Sequence, residues 1–544
     1  MRRLYLNRYC PIILLLLAVI CGNVYALQGS TAADGSNAQA VHELGITGAG
    51  INIGLISARN VRNTHEAFDD SSGVHVFNSD YSASGVDYTG GSVPGHDTWV
   101  AGIIASRGWT GYLNNIGVSP DCNLYSARVV NDSGGILPSY VEDALEALID
   151  TNNCKVIVTA IALDGDADGS SDYSLMYDYF ANTRDVVFAL ASGNNSSNPH
   201  IFGDIYNGIT TAALIDEPND FYLRVGSISN PGPTIDGRNK PEISCPGSSQ
   251  TTTSIGSNTS YYTTVKDGAT SFAVPQTGGV AALLLEYANQ TTDLSDSHNE
   301  VIKAVIINST FPNILDKSGN FTDPTNQTWH SQRGYGRIDA YRAYLTLSAG
   351  KVTAGTSVNS MTGWAYNTLS GSQTHTYFIN AQRRERLVLT VSWNRDVTRE
   401  WKSKPWLYWK YYDEETPRFN IDITITYPSD PCDIIVYSET DALNNLTKID
   451  ILLDLTGEYE ITLTNTTTKT RDYGLAFELL PSLIGDFNID YTVDECDLSR
   501  IALEWLTAGV EADIIPDDNH IVNWRDFTAF ADNWLKIDNR YFTP

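Results

Sequence analysis

Basic residues are scarce in this chain: 35 lysines and arginines stand against 64 aspartates and glutamates over 544 residues, which gives a net charge of −29 at pH 7. A nucleic-acid backbone has to be met by clusters of lysine and arginine, so this composition argues against a nucleic-acid partner. An excess of carboxylates suits an exported soluble protein or a calcium-binding protein. The chain is also 42% hydrophobic and 10% aromatic, which excludes an acidic disordered protein.

Long apolar runs are absent beyond the N-terminus, so we expect no segment that spans a membrane. The N-terminal apolar run has roughly 11 residues, whereas about 20 are needed to cross a bilayer. It follows three arginines and precedes a small-x-small sequence that ends at Ala26, which is the pattern of a secretory signal peptide over residues 1–26. We therefore expect a secreted, extracellular protein. A lipoprotein signal that ends at Cys21 is the alternative, but Ile20 is a poor residue before a lipidated cysteine.

Cysteine is also rare, with seven in the chain and two of them in the predicted signal peptide. The remaining five are an odd number, so at least one thiol is unpaired or pairs between chains. Cys122 and Cys154 each precede a strand-like run, which places both at one sheet edge if the strands are parallel neighbours. A disulfide between them and two buried free thiols are both open.

The periodicity of the chain changes near residue 350, and at about 150 residues per domain the length predicts three or four domains. From about 40 to 345, β-branched runs such as 51–56 and 186–190 alternate with helical patterns such as 138–150, which predicts an α/β fold with a parallel sheet covered by helices on both faces. From 350 to 480, period-two alternation without helices predicts an antiparallel β-sandwich. Its predicted strands are 386–393, 422–427, 433–438, 448–455, 458–466 and 473–480.

The last 60 residues contain an internal repeat, because residues 497–506 and 526–535 align at a spacing of 29 residues. A duplicated loop-helix unit explains this spacing. The first loop offers oxygen ligands at loop positions 1, 3, 5, 7, 9 and 12, as Ca²⁺ sites require. These predicted ligands are Asp486, Asn488, Asp490, Thr492 through its carbonyl, Asp494 and Asp497.

The second loop matches the calcium pattern less completely. Its predicted ligands are Asp517, Asn519, Ile521 through its carbonyl, Asn523 and Asp526, at loop positions 3, 5, 7, 9 and 12. Position 1 is Ile515, which has no oxygen in its side chain. Whether this loop holds Ca²⁺ therefore stays open.

Two such loops, each followed by one helix and each with aspartate at position 12, resemble a type I dockerin over about residues 485–538. The resemblance implies a small helical EF-hand-like domain that binds Ca²⁺ and docks onto a cohesin-like partner. At the loop positions where dockerins usually set partner choice, this chain has Glu495, Cys496, Trp524 and Arg525 in place of the common Ser/Thr pair. The resemblance therefore leaves the particular partner undetermined.

Three segments of the α/β region carry side chains suited to acyl transfer. His96 stands in the first turn of a predicted helix, Asn194 follows a predicted strand, and Ser271 stands where a loop enters an apolar helix. A serine hydroxyl becomes a nucleophile when an imidazole takes its proton, and a side-chain amide can bind the oxyanion that develops. A helix N-terminus favours the same anion. Each residue alone is usually structural, but together they predict serine-based acyl transfer.

In this order the three segments resemble the motifs of subtilisin-type serine proteases. The family carries HGTHVAG, AAGN and GTSMAxP, and this chain carries HDTWVAG, ASGN and ATSFAVP. A DGRxKPxxxxPG element over 236–247 and the closing segment 334–340 extend the resemblance to about 300 residues. The resemblance implies a protein or peptide substrate, with His96 as general base, Ser271 as nucleophile and Asn194 as oxyanion donor. It also links the following sandwich to those that trail secreted subtilases.

The third member of the triad departs from the family pattern. The family's strand ends in a catalytic aspartate, and Ser57 stands at that position here. Loss of the carboxylate that orients the imidazole costs on the order of 10⁴ in kcat. Asp97 replaces the glycine after the histidine and is a candidate for a nearby negative charge. Consecutive helical residues point in different directions, however, so we expect its side chain to leave the helix away from that of His96. Glu66, Asp69 and Asp70 in the loop after Ser57 are alternative carboxylates, but we expect them to be ordinary solvated loop acids.

These observations predict a secreted subtilisin-like serine endopeptidase that hydrolyses peptide bonds through an acyl-enzyme. The alternative is a weak or inactive pseudoprotease that serves as a dockerin-tethered binding or scaffold protein. The retention of His96, Asn194 and Ser271 favours the enzyme, whereas Ser57 favours the alternative. A carboxylate within hydrogen-bond reach of the distal ring nitrogen of His96 would restore the case for catalysis.

Overall fold

The computed structural model describes residues 29–480 with short gaps, together with parts of the segment 485–534. Residues outside this description are 1–28, 71–72, 86, 90–93, 218–220, 266, 321–327, 359, 405–406, 417, 429–432, 481–484, 486–492, 494–497, 499–500, 503–504, 506–521, 532 and 535–544. The predicted signal peptide and all predicted ligands of the first calcium loop therefore lie outside the described residues. Among the helices that are described, none combines the length and the apolar character needed to cross a membrane.

The first part of the chain alternates strands with helices. Its strands are β1 (Asn52–Ser57), β2 (Asp69–Asp70), β3 (Gly73–Val74), β4 (Val76–Asp80), β5 (Arg107–Trp109), β6 (Tyr112–Ile116), β7 (Asn123–Arg128), β8 (Val156–Thr159), β9 (Val187–Ala191), β10 (Gly208–Ile215), β11 (Arg224–Val225), β12 (Ile243–Pro246), β13 (Thr251–Thr253) and β14 (Tyr261–Thr263). Its helices are α1 (Ala38–His42), α2 (His96–Ala105), α3 (Pro138–Glu146), α4 (Asp172–Arg184), α5 (Thr270–Ala288), α6 (Asn299–Asn308) and α7 (Ala340–Ser348). Short helical turns add Glu66–Phe68, Ala147–Thr151 and Leu294–Ser297.

The main sheet has the strand order β11-β10-β9-β8-β1-β7-β4, with β12 beside β10. Its pairs are parallel except for β11, which runs antiparallel to β10. Alternate residues of each strand enter different cores: Ile53 and Leu55 pack into one hydrophobic cluster, and Ile56 packs into another. A sheet whose strands are buried on both faces must have other elements, such as helices, packed against each face. The predicted parallel sheet with helices on each side is therefore confirmed.

Helix α5 crosses one face of this sheet and carries Ser271 at its N-terminal end. Every residue of α5 except Tyr287 is buried, as expected for a helix that is apolar all round. Gly278 and Gly279 allow the close approach, because a Cβ at these positions would collide with the side chains of Val158 and Val118. The helix is therefore set firmly against the sheet behind the candidate site.

The following part of the chain forms two facing sheets, which we call the two-sheet unit. Its strands are β15 (Ser357–Val358), β16 (Thr362–Leu369), β17 (Thr374–Ala381), β18 (Arg386–Trp393), β19 (Val397–Lys404), β20 (Leu407–Glu414), β21 (Ile421–Tyr427), β22 (Ile434–Glu439), β23 (Leu446–Leu452), β24 (Gly457–Asn465) and β25 (Arg471–Leu480). One sheet has the order β15-β17-β24-β21-β22 and the other has β16-β25-β18-β23, and both contribute to one buried core. The predicted antiparallel strands are confirmed, while β16, β17 and the hairpin β19–β20 were not predicted.

The two-sheet unit packs directly on the α/β part. Lys448 is buried against the end of α6, where its Nζ donates to the carbonyl of Ile307 at 2.9 Å, and desolvation lowers the pKa of Lys448 to about 7. The hairpin β19–β20 reaches the opposite face of the α/β part. There Arg399 and Lys410 donate to the carboxylate of Glu146 at 2.8 and 2.7 Å. Polar contacts therefore join the two parts on both sides of the main sheet.

The C-terminal segment is described in part. Helix α8 covers Trp524–Ala531, and residues 498, 501 and 502 are helical as well. A small buried cluster joins Val493 with Val522 and Ile501 with Phe530, so each pair is separated by the repeat spacing. Equivalent positions of the two repeats thus share one core, which supports a duplicated loop-helix unit.

Cys122 and Cys154 are present as separate buried thiols in the structure, as is Cys245. Desolvation raises the pKa of Cys122 to about 12 and also raises that of Cys154. The sequence left open a disulfide between Cys122 and Cys154 or two buried free thiols, and the structure contains the free thiols.

Candidate active site

His96 and Ser271 each lie in the first turn of a helix, and these two helices pack against each other. His96 is the first residue of α2, directly after Gly95, whose φ of 85° puts it in the left-handed region that suits glycine. Ser271 is the second residue of α5 and is 6% exposed. The ring of Phe272, the residue after the serine, lies 6.0 Å from the imidazole of His96 between centroids. The first turns of the two helices therefore lie close together, at the edge of a parallel sheet where α/β proteins commonly place their sites.

Asn194 is locked to the start of α5. It follows β9, and its Oδ1 accepts the backbone N–H of Thr270 at 2.7 Å and the Thr270 hydroxyl at 3.0 Å. Because Thr270 directly precedes Ser271, these two bonds hold the asparagine beside the serine. With the amide oxygen engaged, the NH₂ group is the part of the side chain that can donate to an oxyanion. The role of Thr270 was not predicted from the sequence.

A cavity of about 280 Å³ adjoins Asn194 and Thr270. It is lined by Ala160, Ile161, Ala162, Asp164, Ala191, Gly193, Asn194, Asn195, His200 and Thr270. One wall is polar, because Nδ1 of His200 lies 3.4 Å from Oδ1 of Asp164. Most of the lining residues follow the paired strands β8 and β9, so the cavity lies at the carboxyl ends of two neighbouring strands of the main sheet.

Ser57 lies at the end of β1, as predicted, and is completely buried. Its hydroxyl accepts a hydrogen bond from the Ser126 hydroxyl on the neighbouring strand β7 at 3.0 Å. A serine has no negative charge to stabilise an imidazolium. Ser57 therefore cannot do what a carboxylate at the end of β1 would do.

The expectation that Asp97 points away from the imidazole is wrong. Its side chain is 1% exposed, and Oδ1 lies 3.6 Å from Nδ1 of His96. The carboxylate accepts the backbone N–H of Ala58 at 3.2 Å and that of Arg59 at 2.8 Å. These two amides follow Ser57 directly, and they draw the carboxylate out of its own helix toward the end of β1. Helical geometry alone could not reveal this, because the partners are 39 and 38 residues away in sequence.

The loop acids have other partners. Glu66 is exposed and accepts the Thr110 hydroxyl at 2.7 Å, and this hydrogen bond lowers the pKa of the Glu66 carboxyl. Asp69 is exposed as well, and with Asp70 it forms the short strand β2. The expectation of solvated loop acids is confirmed for Glu66 and Asp69.

An aromatic wall covers one side of the imidazole and was not predicted from the sequence. Trp99 stacks on Tyr262 with ring centroids 3.7 Å apart and an interplanar angle of 4°. Phe272 lies 6.1 Å from Trp99 and 6.0 Å from His96. The backbone carbonyl of Trp99 accepts the Thr252 hydroxyl at 2.8 Å, which ties this turn of α2 to β13. The wall limits the access of water to His96.

Two of the predicted calcium ligands lie in the described residues. Asp526 is fully buried at the start of α8, and its Oδ2 accepts the backbone N–H of Asn523 at 2.8 Å. The side-chain oxygen of Asn523 accepts the N–H of Arg525 at 2.9 Å. The other predicted ligands lie outside the described residues, namely Asp486, Asn488, Asp490, Thr492, Asp494, Asp497, Asp517, Asn519 and Ile521.

Taken together, a serine and a histidine at converging helix ends, an amide donor beside the serine and a buried carboxylate beside the histidine define the layout of a serine-nucleophile site on an α/β scaffold. A model of the subtilase family matches residues 33–336, which is more than half of the chain. The chain therefore belongs to the subtilase family.

Individual relatives agree with this assignment. A thermostable alkaline protease of Halalkalibacterium halodurans is 31% identical over 194 residues, which cover 35% of this chain and 46% of the relative. The serine protease AprX of Bacillus subtilis is 27% identical over 244 residues, covering 38% and 52%. Subtilisin E of the same species is 27% identical over 256 residues, covering 46% and 58%. The chain thus spans about half the length of the curated relatives that it matches.

The crystal structure of a cold adapted subtilisin-like serine proteinase matches 51% of this chain and 88% of its own chain. The TM-score is 0.39 and the sequence identity is 22%.

Proposed function

We propose that this protein is a serine endopeptidase that hydrolyses peptide bonds through an acyl-enzyme on Ser271. The observation that carries the proposal is the contact of Asn194 with Thr270, which places an amide donor beside a serine at a helix N-terminus. His96 on the facing helix is the group that takes the serine proton. Membership of the subtilase family supports the same reaction.

In the proposed reaction, His96 accepts the proton of Ser271 as the hydroxyl oxygen attacks the peptide carbonyl. The carbonyl oxygen becomes an anion, and the NH₂ group of Asn194 and the N-terminal end of α5 stabilise it. His96 then gives the proton to the leaving amine, which departs as the peptide C–N bond breaks. Water, deprotonated by His96, then attacks the ester on Ser271. The ester C–O bond to the serine breaks, His96 returns the proton to the serine oxygen, and the acid product leaves.

We propose that the cavity beside Asn194 receives the substrate side chain next to the bond that is cut. Its volume of about 280 Å³ admits one side chain of moderate size. The wall formed by Ala160 and Ala191 is apolar, while Asp164 and His200 are polar. A protein or peptide fits such a pocket when its side chain at this position is moderately polar or combines an apolar part with a polar group.

We also propose that the protein is secreted by means of residues 1–26 and that its C-terminal segment is a dockerin-like module that binds Ca²⁺ and docks onto a cohesin-like partner. The 29-residue spacing of the buried core pairs supports the duplicated unit. Asp526 is a completely buried carboxylate, and with Asn523 it belongs to an all-oxygen donor set of the kind that hard cations prefer. When bound, Ca²⁺ would neutralise these carboxylates and fix the loops.

The pseudoprotease is the second candidate, and Ser57 in the position of the triad aspartate is the observation that favours it. One experiment decides between the two. The secreted protein is treated with a fluorophosphonate probe and assayed on a protein substrate, with Ser271→Ala and His96→Ala beside it. We expect labelling and hydrolysis that disappear in both variants. A folded wild-type protein that takes no label and cuts nothing would leave the binding protein as the function.

A further inference from the structure

We propose that Asp97 replaces the missing triad carboxylate and acts as the positioning residue for His96. This inference rests on the proposed peptidase function, which it deepens by naming the group that orients the base. The carboxylate reaches the imidazole from α2, whereas the family supplies it from the strand that corresponds to β1. The site would then have a complete triad of Ser271, His96 and Asp97.

The anchoring of Asp97 identifies where its carboxylate lies. The N–H groups of Ala58 and Arg59, the two residues after Ser57, donate to its two oxygens at 3.2 and 2.8 Å. The carboxylate therefore lies next to the end of β1. In the family, the aspartate side chain extends from this strand end. From there Oδ1 faces Nδ1 of His96 at 3.6 Å. Such contacts are often long in a free enzyme and shorten when substrate binds.

An ordinary helix-capping role does not account for this arrangement. An aspartate in the first turn of a helix stabilises the helix when it accepts N–H groups of its own first turn or remains in solvent near them. The carboxylate of Asp97 instead leaves its helix, is 1% exposed and accepts amides from another segment. Burial of a charge is unfavourable unless hydrogen bonds and an opposite charge compensate for it. The two amides supply the bonds, and the imidazolium formed during catalysis supplies the charge.

The exchange at positions 57 and 97 is reciprocal. The family has aspartate at the strand end and glycine after the histidine, and this chain has Ser57 and Asp97. Either pair places one carboxylate in the buried space beside the imidazole. Two carboxylates there would repel each other, because like charges in a shared buried site cannot both be ionised without cost. With the carboxylate on residue 97, the neutral side chain of Ser57 at the strand end avoids this repulsion.

The chemical consequence concerns the tautomer of His96. When Nδ1–H donates to Asp97, the other ring nitrogen has its lone pair available to accept the proton of Ser271. The negative charge also stabilises the imidazolium that follows. Loss of such an orienting carboxylate lowers kcat by about 10⁴-fold, while substrate binding is largely kept.

The test compares four proteins for kcat, KM, melting temperature and labelling by a fluorophosphonate probe. They are the wild type, Asp97→Asn, the double variant Asp97→Gly/Ser57→Asp and the control Asp69→Asn, which removes an exposed carboxylate from the nearby loop. We expect Asp97→Asn to lower kcat by about 10⁴-fold with KM changed only a few-fold. The double variant restores the family's own pair and should recover at least 10²-fold of this loss. Asp69→Asn should equal the wild type.

A further variant distinguishes a site in which Asp97 already supplies the carboxylate beside His96 from a site that lacks this carboxylate. Ser57→Asp in the presence of Asp97 should not raise kcat, because the space beside His96 already holds one carboxylate. A rise in kcat with this single variant would overturn the proposal. So would a folded Asp97→Asn protein whose kcat stays within about 5-fold of the wild type.

The failure of the proposed function is distinguishable from the failure of this inference. A wild-type protein without Ser271-dependent labelling refutes the peptidase function itself, whereas an active wild type that tolerates Asp97→Asn refutes only the role of Asp97. Should Asp97→Asn not fold, proton NMR of the wild type decides, since an imidazole N–H bound to a carboxylate gives a low-field signal. Its presence, and its loss in His96→Ala, supports the proposal, and its absence overturns it.

Discussion

Glu300 lies at the junction of α6 with the two-sheet unit, and we expect its carboxyl to make the stability of the protein depend on pH. Its carboxyl is buried, and its Oε1 accepts the side-chain amide of Asn394 at 2.7 Å. Desolvation, followed by the charge of Asp185, raises the pKa of Glu300 from 4.5 to about 7. Asp472 acts in the same direction, and His298 opposes it.

The sign and size of the effect follow from proton linkage. Between pH 4.5 and 7 the folded protein keeps a proton on Glu300 that the unfolded chain has released, so stability falls as pH rises through this range. At about 1.4 kcal/mol per pKa unit, the difference corresponds to about 3 kcal/mol. Glu300→Gln cannot ionise and keeps the bond from Asn394. We therefore expect the variant to gain about 3 kcal/mol relative to the parent between pH 4.5 and 8.

The measurement is the free energy of unfolding in urea from pH 4.5 to 8, in the Ser271→Ala background so that self-digestion does not interfere. Lys303 and Lys448, whose pKa values burial lowers to about 7, add the opposite trend above pH 7 in both proteins, and it cancels in the difference. Glu43→Gln at the surface is the control for removal of a carboxylate. Equal pH dependence in parent and Glu300→Gln would refute the buried, protonated state of this carboxyl.

Three further predictions concern the site and the tail. Asn194→Ala should lower kcat by about 10²–10³-fold with little change in KM, as measured by steady-state kinetics, because one oxyanion donor is lost. Gly102→Ala should destabilise the protein by about 1–3 kcal/mol in thermal melts, because a Cβ there would collide with the hydroxyls of Thr252 and Thr253. Removal of Ca²⁺ by a chelator should abolish a calorimetric transition of the tail and leave labelling of Ser271 unchanged, and an Asp526→Ala variant should resemble the chelated protein.

The order of elements in the α/β part could be predicted from the sequence because burial on both faces of a parallel sheet leaves continuous apolar strands. The segment 187–191 is an example: each of its residues is buried, and the sequence predicts the strand to within one residue. In the two-sheet unit the period-two pattern located β18 at the observed bounds of 386–393. The hairpin β19–β20 escaped prediction because its strands carry many charged and aromatic residues, which are stabilised by contacts with α3 and α4 such as the bond from Arg399 to Glu146.

The candidates for base, oxyanion donor and nucleophile could be named from the sequence, since His96, Asn194 and Ser271 stand in short motifs whose order is a property of the chain. Only the tertiary structure decided where the carboxylate comes from. Asp97 reaches the imidazole because amides 38 and 39 residues away hold it there, and no local pattern encodes such a contact. A motif records which side chains are present, whereas their directions depend on partners that folding brings from distant parts of the chain.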